Sequence, residues 1–572
     1  PTPGTVGPMT HEEQLAQISS GYRFDGPTLR LGAAMSEGQP HPEAVVGLPL
    51  SMMNRHGLIA GATGTGKTKT LQMMAEQLSD AGVPVFLADV KGDLSGLAAP
   101  GQPNEKLSAR TAALGQEWTA SSFPTEFCSL GGDGKGVPIR ATIQSFGPLL
   151  LSRVMDLNAT QESSLQLIFH WADQQGLELY NLADLRAVIQ HLTSAEGKEA
   201  LAQLGGLSKA TAGVILREIV GLEAEGMDQF FGEPEFDAAE FLRTAEDGRG
   251  VISVLELSTL QSKPQLFSTF LMWLLADLFQ DLPEVGDADK PKLVFFLDEA
   301  HLLFTGASKA FKESITQTVR LIRSKGVGIF FITQTLKDLP SEVLGQLANR
   351  VQHALRAFTP EDQKALTATV KTFPKSGYDL EQVLTSAGIG EAVVTVMTET
   401  GAPSPVAWTR MFAPCSLMGP APEAVDAVVA ASPLMPKYAT VVDSYSAFEK
   451  LSGQAGPGAA AGAAGGEAGA AGASGAGAAG AGASGAAGAD GSGAASSAQE
   501  RKEAERAARE QAKEEERRRK EEERERQKRN DAMMRVGTNV ASQIGRELVR
   551  GIFGTSRSRS RKGRGGFGGL FG

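Results

Sequence analysis

"GATGTGKTKT", residues 61–70, follows the short apolar run His56-Gly57-Leu58-Ile59-Ala60 and precedes Leu71 to Leu78, where apolar residues recur at helical spacing. Gly61-Ala62-Thr63-Gly64-Thr65-Gly66-Lys67-Thr68 satisfies G-x-x-x-x-G-K-[ST] in full, between a strand pattern and a helix pattern. The glycines let successive backbone N–H groups curl round a β-phosphate, and the helix N-terminus points its partial positive charge at the same place. Lys67 is placed to reach the β- and γ-phosphates and Thr68 to offer its hydroxyl to Mg²⁺, with Lys69 closing the nucleotide-binding run. A chance octamer in a glycine-rich chain is the alternative, and the correct flanking elements argue against it.

A second stretch completes the first. Leu293-Val294-Phe295-Phe296-Leu297-Asp298-Glu299 ends an apolar strand run on two carboxylates. Asp298 is expected to hold Mg²⁺ through water, and Glu299 to polarise an attacking water. Two adjacent carboxylates at the end of a buried strand are costly unless a cation faces them. Gln334 ends the next apolar strand, "GIFFITQ", where it could sense a γ-phosphate or simply finish a strand. Asp89, Lys91 and Asp93, in "DVKGD", sit at a further strand tip facing the same edge. Ligands of open α/β sheets bind at the carboxyl ends of strands, and a solvated turn is the bland reading.

Outward from these motifs the chain alternates strand and helix patterns. Strand signals appear at 83–89, 250–257, 292–301, 326–335, 350–358 and 391–397, with several helices between 150 and 245. This predicts an α/β fold, a P-loop core with a mainly parallel sheet, carrying a helical insertion, a disordered Gly/Ala linker and a charged helical C-terminal tail. The expected divisions are a short N-terminal segment (1–43), a first stretch of the ATPase core (44–115), a mostly helical insertion (116–248), a second stretch of the core (249–420) and a C-terminal extension of the core (421–451). A Gly/Ala-rich flexible linker (452–498), a charged single helix (499–531) and an amphipathic helix with a basic Gly-rich tail (532–572) follow. The charged helix has Glu–Arg pairs such as Glu514–Arg518 at i,i+4 and no a/d seam.

Bulk properties narrow the function classes. Two cysteines, Cys128 and Cys415, cannot form a disulfide framework and fit a reducing, cytoplasmic setting. The opening residues show no signal-peptide pattern, and the most apolar helical run, Leu266 to Phe279, carries Asp277 and is short for a bilayer span. The net charge of −11 is uneven: residues 500–572 hold 21 Lys+Arg against 13 Asp+Glu, a net of +8, so residues 1–499 carry −19. An acidic body argues against nucleic-acid binding over its whole outer surface but leaves room for a small internal basic patch.

Further candidates depend on assembly. Arg320 and Arg323 lie one helical turn apart ahead of "GVGIFF", and Arg350, Gln352 and Arg356 fall at even spacings that would share one face of a strand. An arginine from a neighbouring subunit could stabilise charge at a γ-phosphate, whereas surface salt bridging is the plainer role. Lys309 and Lys312, in "FTGASKAFK", are the leading candidates to line a pore and touch phosphates there, or else an exposed basic helix start. His301 lacks Cys or His partners at ligand spacing, which favours a structural histidine.

The segments "GLIAGATGTGKTKTLQMMAEQLSDAGVPVFLADVKGDLSGLA", "KLVFFLDEAHLLF", "LIRSKGVGIFFITQTLKDLP", "NRVQHALRAFTPEDQKAL" and "GIGEAVVTVM…GAPSPVAWTRM" resemble the HerA-like bacterial ATPases typified by YjgR, over roughly residues 20–420. The resemblance implies a RecA-like core and kinship with the hexameric HerA and FtsK DNA motors, with ATP and Mg²⁺ as cofactors. It gives Lys67, Thr68, Asp298, Glu299 and Gln334 the family's ATP roles. It sets Arg323 where related motors carry a ring arginine, with Arg350 and Arg356 as rivals. A separate strand (83–89) lying in sequence between the phosphate loop and the acid pair, and a glutamate after the aspartate, resemble ATP-hydrolysing motors rather than small-molecule kinases. The first 43 residues look too short for the small β-barrel with which HerA engages its nuclease partner. The expected function is a homohexameric ring translocating DNA, with a polypeptide-moving ATPase or an ATP-gated scaffold as alternatives. Residues 533–572 could contact a membrane surface, a partner protein or the ring itself.

Overall fold

The computed structural model describes residues 10–132, 134–203, 206–257, 264–286, 288–304, 307 and 309–453. They fall within the unit that includes Pro1–Pro457; the second unit, Gly458–Gly551, lies outside the described residues. The expected linker beyond Gly453, the charged helix and the amphipathic helix with its basic tail therefore also lie outside them.

The strands, in chain order, are β1 (Thr28–Ser36), β2 (Gln39–Pro49), β3 (Gly57–Ala60), β4 (Val85–Asp89), β5 (Thr125–Leu130), β6 (Val137–Ile139), β7 (Ile252–Glu256), β8 (Leu293–Leu297), β9 (Val327–Thr333), β10 (Asn349–His353), β11 (Glu391–Thr395) and β12 (Ala407–Met411). They form one sheet in the order β2-β1-β12-β11-β10-β3-β9-β8-β4-β7-β5-β6. From β10 to β6 every neighbouring pair is parallel, while β2, β1, β12 and β11 add an antiparallel flank. Strands β4, β8 and β9 are buried along their whole length, which is why they read as unbroken apolar runs rather than alternating ones. The core is aromatic at this point: Phe86 of β4 lies 5.1 Å from both Phe295 of β8 and Phe241, ring centre to ring centre.

The helices that frame the sheet include α1 (His11–Gly21), α2 (Lys67–Asp80) and α3 (Glu105–Ala113). Between β6 and β7 lie α4 (Ile143–Val154), α5 (Ala159–Gln174), α6 (Leu182–Thr193), α7 (Lys198–Gln203) and α8 (Lys209–Ala224). Asn158 and Asn181 begin α5 and α6 with capping boxes closed by Gln161 and Asp184, so these helices start where the sequence supplies an oxygen for the free N–H groups. After β7 come α9 (Pro264–Asp281) and α10 (Lys309–Ile322). Helix α9 is apolar and buried, and no helix among the described residues is long and apolar enough to cross a membrane.

Two expected divisions fall elsewhere. The boundary at 43/44 lies inside β2, because residues 28–49 form a hairpin joined to the sheet through β12. The stretch expected to be a helical insertion from 116 also contains β5 and β6, so the helices begin only after Ile139. "TEFCSL" is short, with polar Thr125, Glu126 and Ser129 that follow no strand alternation, which hid a strand whose side chains are nearly all covered.

Candidate functional site

The chain passes from β3 through residues 61–66 into α2, so the loop sits at the carboxyl end of the parallel strands, next to β9 and β10. Backbone bonds tie it to both neighbours: Gly61 N–H donates to Thr333 O at 3.3 Å, Ala62 N–H to Ala354 O at 2.8 Å. Gly390 N–H donates to Thr65 O at 2.9 Å from the far side. Gly61 (φ +150°) and Gly66 (φ +112°) need their lack of a side chain: a Cβ on Gly61 would lie 2.5 Å from that of His353, and one on Gly66 3.1 Å from Gly390 N. Lys67 Nζ donates to Gly61 O at 2.6 Å and to Ala62 O at 3.0 Å, and its burial lowers its pKa. Thr68, half-buried, follows it.

Behind the loop stands a residue the sequence did not single out. His353, fully buried, ends β10; its Nδ1–H donates to Glu391 O at 3.0 Å and its Nε2 accepts from Thr70 Oγ1 at 3.0 Å. Burial holds its pKa down to about 4, so it packs neutral against α2. A histidine at the tip of the strand beside the phosphate loop was the available signal.

The acid pair stands at the tip of β8. In space the strand between it and β3 is β9, with Gln334 at its tip; β4 lies on the other side of β8. Asp298 is 6% exposed, and burial lifts its pKa to about 6. Its Oδ1 accepts Glu299 N–H at 2.9 Å. Glu299 adopts φ +46°, a left-handed backbone at a non-glycine residue. The cation that two buried carboxylates require is Lys91, whose Nζ reaches Glu299 Oε1 at 2.7 Å. His301 Nδ1 lies 3.4 Å from the other carboxylate oxygen. Although burial opposes it, the lysine and the histidine together hold Glu299 below its ordinary pKa. Gln334 reaches this cluster too: Thr63 Oγ1 donates to its Oε1 at 3.4 Å. Thus the phosphate loop, the acid pair, Gln334 and the DVKGD turn converge.

Asp89, at the tip of β4, accepts three backbone N–H groups, from Lys91 (3.1 Å), Gly92 (2.8 Å) and Leu94 (2.8 Å). It therefore shapes the turn and leaves Lys91 as the residue that faces the acid pair. Beside α2 a cavity of about 260 Å³ is lined by Lys69, Leu107, Ile389 and Met411. Arg110 closes one wall by donating to Gly390 O at 2.9 Å and Met411 O at 2.6 Å.

The arginines are dispersed. Arg323 is exposed at the amino end of β9, the opposite edge of the sheet. Arg350 enters β10 near its amino end, half-buried, with Nε donating to Leu347 O at 3.3 Å. Arg356 does not share a strand face with Arg350 and Gln352: β10 ends at His353, because the chain there turns to bond with Ala62 and Leu384. Arg356 is exposed on the phosphate-loop edge, close to Phe358, which is 86% exposed. Lys309 and Lys312 open α10; Lys309 is 91% exposed and pairs with Glu313 at 3.8 Å.

The donor set fits a nucleotide triphosphate. A glycine loop with room at Gly64, a helix N-terminus and a buried amine converge at one place. Among the described residues no cluster of three or more His, Cys, Asp or Glu could hold a metal by itself. Thr68 and Asp298 are the oxygen donors that would face a Mg²⁺ bound with the phosphates, Asp298 through water.

The sequence pattern of the family described as Helicase HerA-like C-terminal matches residues 35–562. The DNA double-strand break repair helicase HerA of Saccharolobus solfataricus is 23% identical over 403 residues, 69% of this chain and 70% of that protein. HerA of Sulfolobus acidocaldarius is 21% identical over 417 residues, 69% and 71% of the two chains. Among solved structures, plasmid coupling protein TrwB in complex with ADP and Mg²⁺ matches with a TM-score of 0.45 and 14% identity, over 70% of this chain and 94% of that one. VirB4 of Thermoanaerobacter pseudethanolicus matches with a TM-score of 0.40 and 14% identity, over 70% and 98%.

Proposed function

This chain belongs to the HerA-like C-terminal helicase family, and from that premise we propose that it is an ATP-hydrolysing motor that moves DNA as a ring of identical subunits. The observation that carries this reading is the convergence of the phosphate loop, Asp298–Glu299 and Gln334 at one sheet edge. Residues 61–69 bind the triphosphate, with Lys67 turning from the loop carbonyls to the β- and γ-phosphates. The cavity walled by Leu107, Ile389 and Met411 takes the nucleoside. Thr68 and Asp298 hold Mg²⁺, which supplies charge neutralisation at the phosphates when bound.

Glu299 accepts a proton from water as the water oxygen bonds to the γ-phosphorus; the bond from the γ-phosphorus to the β–γ bridging oxygen breaks, ADP leaves with the bridging oxygen and the water oxygen stays on the phosphate. Gln334, between Thr63 and the glutamate, reports the state of the γ-phosphate to β9. Strand β9 begins beside Arg323, roughly 20 Å away at about 3.3 Å per residue. A head-to-tail ring joins two different patches of the subunit. Arg323 stands on a patch distant from its own nucleotide and reaches a neighbour's. Arg350 and Arg356 are second choices, the first half-buried and the second on the phosphate-loop edge.

DNA is the polymer the HerA relatives' names support. Helix α10 follows the acid pair and returns to β9, so Lys309 and Lys312 begin it on the same side as the catalytic edge. The test is DNA-stimulated hydrolysis by the assembled protein. Lys309→Glu with Lys312→Glu should abolish stimulation and DNA retention while leaving DNA-free hydrolysis in place, and wild-type retention should weaken steeply with salt without sequence preference. An assembled wild type with neither stimulation nor retention at low salt rules out the DNA-motor reading.

A further inference from the structure

We propose that Lys91 is a positioning residue for hydrolysis: its ammonium latches the Glu299 carboxylate aside until a bound γ-phosphate draws that ammonium away. The inference rests on Glu299 being the base, and goes beyond it by assigning a control to the base. The contact itself is short and charged, 2.7 Å between Nζ and Oε1. A carboxylate whose lone pair is committed to an ammonium is a poor acceptor for a water proton, so the latched state hydrolyses slowly.

The geometry gives the latch one moving part. The backbone of the turn is fixed by the Asp89 carboxylate, which takes the N–H groups of Lys91, Gly92 and Leu94. The four-carbon stem of Lys91 is then free to swing from a fixed root, and its side chain is 40% exposed against 9% for Glu299. Glu299 is buried and held at φ +46° with its N–H on Asp298, so it moves less easily than its partner.

A second amine marks where the lysine goes. Lys67 Nζ stands against Gly61 O and Ala62 O of the phosphate loop, and Thr63 of that loop reaches Gln334 at the strand tip next to the acid pair, so the amine that binds phosphate and the ammonium of Lys91 line the same sheet edge. Lys91 Nζ pairs with Glu299 Oε1. A γ-phosphate at that edge is a competing anion of higher charge, and Lys91 exchanges partners toward it. The released Glu299 then meets the water that faces that phosphate. Binding of the right substrate thereby arms the base.

The experiment measures steady-state ATP hydrolysis with Mg²⁺ and no DNA, using the full chain and the variants Lys91→Gln, Lys91→Arg and Glu299→Gln. Lys91→Gln should raise kcat roughly threefold to fivefold, because exchange to the γ-phosphate is incomplete and the partly exposed ion pair still holds part of the ATP-bound population, with KM rising only about two- to threefold as the lysine's phosphate contact is lost. Lys91→Arg, which keeps the pair, should stay near wild type. The double variant Lys91→Gln with Glu299→Gln should be as slow as Glu299→Gln alone. A fall in kcat, an unchanged kcat, or a tenfold rise in KM for Lys91→Gln overturns the latch, since the lysine would then stabilise the reaction, do nothing, or only bind ATP. Lys91→Met, similar in length, serves as the second variant if Lys91→Gln does not fold. Wild-type rates from Glu299→Gln would instead overturn the assignment of the base, a different failure with its own signature.

Discussion

The two edges of the parallel sheet differ in how their charges are satisfied. At the carboxyl edge Lys67 bonds to loop carbonyls, Asp298 to the Glu299 N–H, Glu299 to Lys91, and Asp89 to three backbone donors. At the amino edge Arg323 is exposed and, among the described residues, its side chain has no hydrogen-bond or ion-pair partner. Arg350, nearby in the sheet, has a buried Nη1 with no hydrogen-bond partner among the described residues. One edge is closed upon itself and poised for an anion; at the other, among the described residues, the Arg323 side chain and Arg350 Nη1 are left without a partner, although Arg350 Nε donates to Leu347 O. That asymmetry is what a head-to-tail ring requires, because each subunit then completes the next.

The largest effects should come from breaking the closed edge. Lys67→Ala should lose nucleotide binding, read as the loss of ATP-dependent protection in a thermal melt. Glu299→Gln should keep binding and lose hydrolysis by about 10²–10⁴-fold, the usual contribution of a positioned base. Binding and kcat should thus separate within one cluster, since a group acting only in the transition state changes kcat and not affinity. Equal loss of affinity in Glu299→Gln would mean that the edge is merely a scaffold.

The open edge should respond next. Arg323→Ala alone should lower kcat on the order of 10²-fold, less than the upper range for a finger because the side chain is exposed. Mixed with Glu299→Gln subunits it should recover activity, since some interfaces then pair an intact Glu299 with an intact Arg323 from the neighbour. Mixing Arg356→Ala in the same way discriminates the edges, as Arg356 shares the phosphate-loop side and should give no such rescue. Recovery with Arg356→Ala and none with Arg323→Ala, with co-assembly verified, would reverse the comparison.

Legibility in the sequence divides along the same line. The closed edge is readable where its residues are contiguous: "GATGTGKT" and "LVFFLDE" each carry their own flanking element, so Gly61 to Lys69, Asp298 and Glu299 could be placed on a strand tip or helix start from spacing alone. The need for a cation beside the acid pair was also legible, and "DVKGD" was on the right edge. That Lys91 is the partner of Glu299 was not, because 208 residues separate them and only the β4–β8 pairing brings them together. His353 and Arg110 were silent for a related reason: each acts through backbone carbonyls contributed by distant segments, which leave no mark on local periodicity. Arg356 misled because even spacing predicts a shared strand face only as long as the strand continues. The β1–β2 hairpin and β5–β6 extend the sheet beyond the motif-bearing strands, where short or half-polar runs give weak strand signals.

The smallest expected effect tests whether the two edges also differ in rigidity, and it uses one buried histidine from each. His353 lies at the closed edge and His56 at the open one, before β3; burial holds both at a pKa of about 4. An unfolded histidine titrates near 6.5, so the unfolded chain binds more protons below that pH. The contribution to stability is therefore full above about pH 6.5 and is lost as pH falls toward 4, by up to about 1.4 kcal/mol per pH unit for each histidine. The two should not weigh equally. His353 accepts from the Thr70 hydroxyl, which can rotate to become an acceptor when the ring is protonated. His56 accepts from the Ile329 N–H at 3.0 Å while its Nε2–H donates to Val319 O at 2.7 Å, and a backbone N–H cannot turn away. Protonating His56 would set two donors face to face and loosen α10 from β9 beside Arg323. Melting temperatures from pH 7.5 to 5 should therefore fall for wild type, and His56→Gln should flatten that fall more than His353→Gln, although both variants start lower at pH 7.5. The reverse ranking would show that the hydroxyl gives no relief and that the phosphate-loop edge is the more brittle of the two.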